Sequence, residues 1–109
     1  MGTFVKGEVV IVPFPFSDLT NSKRRSAVVV AQLDGDDVIL CQATSQARSD
    51  SYAISVTASD FASGNLPVDS VTRPNRLFTA DEHIIIRRAG VLADDKMKEI
   101  TDKLVEIIS

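Results

Sequence analysis

Three clusters of basic residues are the side chains of this sequence most able to do chemistry. Two of the clusters lie where a predicted loop meets a predicted strand, so a curled sheet that joined them would create a local cationic patch. Arginine's planar fork of donors matches the oxygens of a phosphate and stays charged at any relevant pH. The alternative is that these residues are solvated strand ends, which we favour for Arg87 and Arg88. The clusters are Lys23-Arg24-Arg25, Arg73 with Arg76, and Arg87-Arg88.

Other catalytic chemistries have little support in the sequence. His83 is the only histidine, and no set of His, Cys, Asp and Glu has the spacing of metal ligands, so no metal or other cofactor is expected. Asp34, Asp36 and Asp37 supply only part of a calcium-loop pattern, and we interpret them as a turn. His83 follows Glu82 and precedes an apolar run, which favours a solvent-facing or packed side chain over a member of a catalytic triad.

Composition and charge predict one globular domain spanning residues 1–109. Of the 109 residues, 44% are apolar and 25% are charged, and the formal net charge is −3, which argues against a surface coated with positive charge for nonspecific nucleic-acid binding. No apolar run approaches the length of a membrane span and no signal pattern is present. Cys41 is the only cysteine, so we expect a packed thiol, no internal disulfide and a cytoplasmic location.

Two strands around a polar loop are predicted to position the first basic cluster. Residues 9–14 and 27–31 are rich in stiff β-branched side chains that fit a pleated, half-buried surface. Pro13 and Pro15 lack a backbone donor, so the first strand should end there and pass into the loop. That loop ends at the three cations that precede the second strand.

The later elements are predicted from turn signals and from the spacing of apolar residues. A turn at 34–37 should close a hairpin between 27–33 and 38–43, and residues 52–57 alternate as a half-buried strand does. We also expect a helical turn opened by Ser59 and broken at 63–65, a strand from 68 to 71 interrupted near Pro74, and a final strand at 83–87.

An amphipathic helix is predicted at the end of the chain. Met97, Ile100, Leu104 and Ile107 recur at intervals of three and four residues, and Ala93 or Asp94 should lie at the N-cap. About five to seven short strands with one terminal helix indicate a mainly β protein, in which a small, curled, mostly antiparallel sheet packs against the helix.

Several short motifs, in order along the chain, resemble the PemK/MazF-like toxins of bacterial toxin–antitoxin systems. They are G-E-V-V-I-V-P-F-P-F at 7–16, K-R-R-S-A-V-V-V at 23–30, A-T-S-Q at 43–46, D-S-V-T-R-P at 69–74 and the closing helix. The resemblance implies a small SH3-like barrel of the MazF/CcdB toxin type. It also implies a homodimer with its site near the dimer interface, and a cognate antitoxin whose disordered tail covers that site.

The resemblance further implies a growth-inhibiting, metal-independent endoribonuclease that cleaves single-stranded RNA at a short sequence. Arg25 would stabilise the phosphate and donate a proton, Thr44 would hold a phosphate oxygen, and Arg73 would complete the charge. Taken alone, Thr44 is an ordinary strand-end hydroxyl. Further residues would bind RNA, with Phe16 able to stack a base or to pack in the core. These RNA-binding residues are Lys23, Arg24, Phe16, Ser45, Gln46 and Arg76.

The sequence departs from the family pattern at three places. Ser26 replaces the proline that usually follows the loop-end arginine. The first loop has Asn21 near the place of the glutamate of MazF, with Asp18 as the nearest carboxylate, and Asn75 replaces an acid in the later strand, with Asp69 upstream. The group that accepts the proton is therefore not assigned. The alternative is a binding module without catalysis, which acts on a protein target as CcdB does or binds operator DNA together with its antitoxin.

Overall fold

The computed structural model of the protein describes residues 4–14, 23–45 and 51–109. Two of the predicted RNA-binding residues, Phe16 and Gln46, lie outside these ranges, as do Asp18 and Asn21. For Lys23 only the backbone is described.

Within the described ranges, seven strands form one sheet in the order β4-β6-β3-β2-β1-β7-β5, and all neighbouring strands are antiparallel. Short 3-10 turns at Ala58–Asp60 and Glu82–Ile84 precede β5 and β7. The strands are β1 (Glu8–Phe14), β2 (Lys23–Gln32), β3 (Asp37–Thr44), β4 (Ile54–Val56), β5 (Phe61–Gly64), β6 (Ser70–Asp81) and β7 (Arg87–Leu92), and the helix is α1 (Asp94–Ile108).

The central strands are buried on both faces of the sheet. Pleating sends successive side chains to opposite faces, so Val9 and Val28 pack under α1 with its residue Ile100, whereas Val10 and Val29 face the other core. That second core is lined by Phe4, Phe78, Ala80 and Ile85 from the rest of the curled chain. Two buried faces explain why β1 and β2 are continuous apolar runs and do not alternate.

The hairpin and the terminal helix agree with the sequence predictions. β2 and β3 pair on either side of the 34–37 turn, with Gln32 opposite Val38. Helix α1 has Ala93 at its N-cap, and its residues Met97 and Ile100 are buried while Leu104 packs against the same core. No helix in the described part of the chain is long and apolar enough to cross a membrane.

Two of the predicted strands have different bounds in the structure. The 52–57 segment is a strand only at Ile54–Val56, although the expected alternation is present there. The strand predicted at 68–71 begins at Ser70 and continues through Pro74 to Asp81. Pro74 is tolerated because the β3–β6 register shifts between Cys41 and Ala43, and a proline at a bulge removes no ladder hydrogen bond.

The helical turn predicted near Ser59 is present as a 3-10 turn at Ala58–Asp60, but its predicted cap and the strand predicted at 83–87 were wrong. The turn at 58–60 is capped by Thr57, whose N–H donates to Asp60 Oδ2 at 2.8 Å, and residues 61–64 form β5. The segment expected to be the final strand begins with a 3-10 turn at Glu82–Ile84, because the Asp81 carboxylate accepts the backbone N–H of His83 at 2.9 Å. The last strand is β7, four to five residues further on.

Candidate functional site

A cleft of about 300 Å³ opens where β2 begins and β3 ends. Its lining combines basic, hydroxyl and apolar side chains. The basic and hydroxyl residues are Arg24, Arg25, Ser26, Thr44, Ser45, Ser70 and Arg87. The apolar residues are Ile11, Ala43, Leu66, Pro67 and Val68.

Strand pairing positions the floor of this cleft. Ile11 lies opposite Ser26 of β2 and opposite Arg87 of β7, and Ser26 lies opposite Ala43 of β3. Directly opposed residues of antiparallel strands share a face of the sheet. A row across four strands therefore contains four residues on the same face of the sheet, namely Arg87, Ile11, Ser26 and Ala43.

The two residues that the family resemblance made central, Arg25 and Thr44, meet at the same end of the sheet. The β2–β3 register pairs Ser26 with Ala43, and the same register continued by one residue brings Arg25 opposite Thr44. Both side chains are half-buried and line the cleft. Arg24 and Ser45 follow at its exposed rim.

The structure does not bring every predicted site residue to this cleft. Arg73 is buried in β6 and Arg76 is exposed further along the same strand, and neither lines the cleft. The backbone of Lys23 begins β2, next to Arg24. Within the described residues, the structure therefore unites Arg24, Arg25, Thr44 and Ser45.

Arg87 is a cleft residue that the sequence analysis did not favour. Its neighbour Arg88 alternates to the other face of β7, where it forms an ion pair with the buried Glu8 and lies over the Phe4 ring, 5.2 Å from its centroid. The adjacent arginines thus have different environments, one in the cleft and one in a packed cluster. Only the pairing of β7 with β1 distinguishes them, and no local sequence signal marks that pairing.

The connection between β5 and β6 was also missed by sequence reasoning, which expected a strand there. Leu66 is buried in the core under α1, whereas Pro67 and Val68 are exposed along the cleft. The connection is fixed at both ends. Asn65 N–H donates to the carbonyl of Ala89 at 3.2 Å, and the Ser70 hydroxyl donates to the carbonyl of Val68 at 3.3 Å.

The electrostatic character of the cleft is set by its three arginines, because no carboxylate among the residues in 4–14, 23–45 and 51–109 lines it. A concave surface with fixed cationic donors favours a bound phosphate, and it stabilises charge that develops on one. In the same ranges, no group of three or more His, Cys, Asp and Glu side chains could hold a metal ion.

Cys41 takes no part in this chemistry. Burial raises the pKa of its thiol to about 12, against a smaller opposing effect of the Arg73 backbone hydrogen bond. A thiol with this pKa is protonated at neutral pH and is a poor nucleophile, which agrees with the interpretation of Cys41 as a packed apolar residue.

The curled antiparallel sheet with one terminal helix defines a small, mainly β barrel of the MazF toxin type, which confirms the predicted fold class. The chain belongs to the PemK-like, MazF-like toxin family of type II toxin–antitoxin systems, whose model matches residues 5–108. The match extends over almost the whole chain, which confirms the resemblance found in the motifs.

Solved structures of the same fold include an endoribonuclease in complex with its cognate antitoxin from a mycobacterial species, at 14% identity, a TM-score of 0.76, and coverage of 95% of this chain and 93% of that one. MazF from Deinococcus radiodurans is similar at 19% identity and a TM-score of 0.76, with 96% of each chain covered. The toxin MazF-mt6 of Mycobacterium tuberculosis follows at 14% identity and a TM-score of 0.71, with 91% of this chain and 93% of that one covered. Comparison with curated proteins gives no match.

Proposed function

We propose that this protein is the toxin of a type II toxin–antitoxin pair and cleaves single-stranded RNA at a short sequence without a metal ion. The observation that carries the proposal is the cleft in which Arg25 and Thr44 meet Arg24 and Arg87. Family membership and the endoribonuclease neighbours support the same activity.

In the proposed reaction, the 2′-hydroxyl of the RNA attacks the adjacent phosphorus, and the bond from phosphorus to the 5′-oxygen breaks. The products are a 2′,3′-cyclic phosphate and a 5′-hydroxyl. Arg25 stabilises the charge that develops on the phosphate, and the Thr44 hydroxyl holds one of its oxygens. Because Arg87 lines the cleft and Arg73 does not, the proposal gives the third charge to Arg87.

The proposed partners are single-stranded RNA, a cognate antitoxin and a second copy of the chain. Two similar structures contain an antitoxin: a mycobacterial endoribonuclease with its cognate antitoxin, and MazE-MazF from Deinococcus radiodurans. A disordered antitoxin tail that folds along the cleft would block it, and the complex is proposed to bind operator DNA. For the homodimer, sedimentation equilibrium of the purified protein should give twice the chain mass of 11.8 kDa.

The proposal is tested by incubating the purified protein with a long RNA in EDTA. Discrete products that end in a cyclic phosphate and a 5′-hydroxyl are expected. A substrate that lacks only the 2′-hydroxyl at the cleaved nucleotide should bind and remain intact. A preparation of Arg25→Ala, purified in the same way, is the control for contaminating nuclease. Absence of discrete products from the parent protein at high concentration would refute the endoribonuclease activity.

The adjacent arginines of β7 provide a matched pair of variants. Arg87→Ala should lower cleavage about 10²-fold or more through lost charge stabilisation, with a melting temperature close to that of the parent. Arg88→Ala should keep its activity while folded but lose roughly 1–3 kcal/mol of unfolding free energy, because the buried Glu8 carboxylate loses its cation. Equal effects of the two changes on activity would contradict the site assignment.

A second candidate function is binding without catalysis. The cleft has no carboxylate among the described residues, and metal-free RNA cleavage needs a group that accepts the proton of the 2′-hydroxyl. A protein of this second kind would bind RNA or a protein target through the same arginines and leave the RNA intact in EDTA. The cleavage assay therefore separates the two candidates.

A further inference from the structure

We propose that Pro67 and Val68 form a wall against which the base of one nucleotide packs while the arginines of the same cleft bind its phosphate. This inference rests on the proposed function, because it takes RNA as the ligand. It goes further by assigning the recognition of a base to a segment outside the arginine and threonine set. Pro67 and Val68 are called the base wall below.

The chemical asymmetry of the cleft is the first argument. Arg24, Arg25 and Arg87 come from strands β2 and β7, whereas Pro67 and Val68 come from the β5–β6 connection, and all five line the same cleft. The exposed Asp69 follows Val68 in sequence, and a carboxylate close to that segment disfavours a phosphate there. A nucleotide is an anion at one end and a flat, largely apolar ring at the other, so its two ends match these two groups of residues.

The size of the cleft is the second argument. Its volume of about 300 Å³ lies at the lower end of the roughly 300–1,000 Å³ of small-molecule sites. A space of this size suits about one nucleotide unit. Single-stranded RNA is the substrate whose unstacked bases are free to leave the strand and enter such a space.

The rigidity of the base wall is the third argument. Leu66 anchors the segment in the core, and the Asn65 side chain accepts the Leu66 N–H at 2.8 Å. The Ser70 hydroxyl donates to the Val68 carbonyl at 3.3 Å, and Pro67 has a fixed φ. A surface that is already ordered loses little entropy when a ligand binds, so an exposed valine in this setting is suited to recognition.

The test measures binding of compounds that contain no bond the protein could cleave. The four nucleoside 5′-monophosphates and ribose 5-phosphate, which has no base, are titrated separately into the isotope-labelled protein. The backbone amide of Val68 is followed by NMR. We expect at least one nucleotide to bind more tightly than ribose 5-phosphate and to shift the Val68 resonance.

Val68→Ala and Val105→Ala are matched variants. Val68 is 56% exposed and lines the cleft, and Val105 is 55% exposed on the outer face of α1. Val68→Ala should weaken nucleotide binding about three- to tenfold, because two methyl groups no longer contact the base, and leave ribose 5-phosphate unchanged. Val105→Ala should not change the affinity for nucleotides or for ribose 5-phosphate, and Arg25→Ala should lower the affinity for both.

Three results would overturn the base wall: equal binding of nucleotides and ribose 5-phosphate by the parent, equal weakening of both by Val68→Ala, or no binding of either. Cleavage of long RNA is assayed in parallel, so the two proposals fail separately. Base-dependent binding without cleavage would refute only the endoribonuclease. Cleavage whose site preference is unchanged in Val68→Ala, together with base-independent binding, would refute only the base wall.

Discussion

At the scale of single residues, the chemistry of the cleft depends on which side chains lie at the end of the sheet where β2 begins and β3 ends. Arg25 and Thr44 lie one residue beyond the paired Ser26 and Ala43 of β2 and β3, and both line the cleft. Their positions depend on the backbone ladder, which does not involve their own side chains. A substitution at Arg25 can therefore change chemistry without much effect on the fold.

For Arg25→Ala we expect a loss of unfolding free energy within about 1 kcal/mol and a fall in single-turnover cleavage of about 10²–10³-fold. Arg25→Lys should recover only part of the rate, because an ammonium group lacks the bidentate fork. Ile100→Ala is the control for stability, since this fully buried side chain should cost about 2–5 kcal/mol on truncation. If Arg25→Ala melts as early as Ile100→Ala, Arg25 is a structural residue.

His83 and Asp81 should make stability depend on pH. His83 Nδ1 lies 2.6 Å from Asp81 Oδ1, and the hydrogen bond to Asp81 raises the pKa of His83 above its ordinary value of 6.5, with smaller contributions from Asp36 and Glu82. The backbone N–H of His83, which also donates to Asp81, is the main cause that lowers the pKa of Asp81 below 3.8, and the side-chain hydrogen bond of His83 adds to this effect. The contribution of His83 to the free energy of unfolding is thus complete below pH 6.5 and is lost as pH rises through the folded-state pKa of the histidine. The contribution of Asp81 to the free energy of unfolding is present above pH 3.8 and is lost as pH falls through the lowered pKa of its carboxyl group.

We therefore expect His83→Ala to lower the melting temperature more at pH 5.5 than at pH 9. As the only histidine, His83 gives a single imidazole signal whose NMR titration reports its pKa. That pKa should fall toward 6.5 in Asp81→Asn, where the remaining carboxylates keep part of the shift. A titration unchanged by Asp81→Asn would show that the contact does not persist in solution.

At the scale of elements, the pairing of β5 with β7 depends on two glycines that lie opposite each other. A Cβ on Gly90 would lie 2.6 Å from the Ser63 carbonyl oxygen, and one on Gly64 would lie 2.4 Å from the Ala89 carbonyl oxygen. Both obstacles are backbone atoms, which cannot move without opening the strand pair. This pairing precedes the base wall, so the two glycines also help to position it.

Three glycine substitutions separate the causes of destabilisation. Gly35→Ala has open space but a φ of +75°, so it should cost roughly 1–2 kcal/mol. Gly90→Ala places a Cβ against the Ser63 carbonyl oxygen but has no positive φ, and it should lower the free energy of unfolding by about 1–3 kcal/mol. Gly64→Ala combines both, with a φ of +72°, and should cost more than either. Urea unfolding measures all three, and a Gly64→Ala variant as stable as Gly35→Ala would contradict the close approach of the strands.

At the scale of the whole molecule, an acidic protein carries a locally cationic cleft. The net charge is −3, yet three arginines and no described carboxylate line the cleft. This arrangement attracts a polyanion to the cleft and repels it from much of the remaining surface. RNA binding should therefore depend on local phosphate contacts.

The salt dependence of RNA binding should report those contacts. For single strands, the logarithm of the affinity falls with the logarithm of salt concentration with a slope of about −0.7 per phosphate neutralised. Arg87→Ala should reduce the steepness of that slope by about 0.7, and Arg88→Ala should leave it unchanged. The slope is measured by fluorescence anisotropy across a salt series, with a short RNA that lacks only the 2′-hydroxyl at the cleaved nucleotide and therefore binds without being cut. Identical slopes for the parent and Arg87→Ala would exclude Arg87 from phosphate contact.

The sequence by itself determined most of the local elements and supplied two candidate residues of the cleft. Apolar runs such as 9–14, the 34–37 turn and the period of α1 are local patterns, and Arg25 and Thr44 followed from short motifs. Only the tertiary structure decided which strands are neighbours. The pairing of β7 with β1 separates Arg87 from Arg88, and the β5–β6 connection is carried to the cleft with Val68 exposed. Those placements depend on contacts between residues distant in sequence, which local propensity and spacing do not encode.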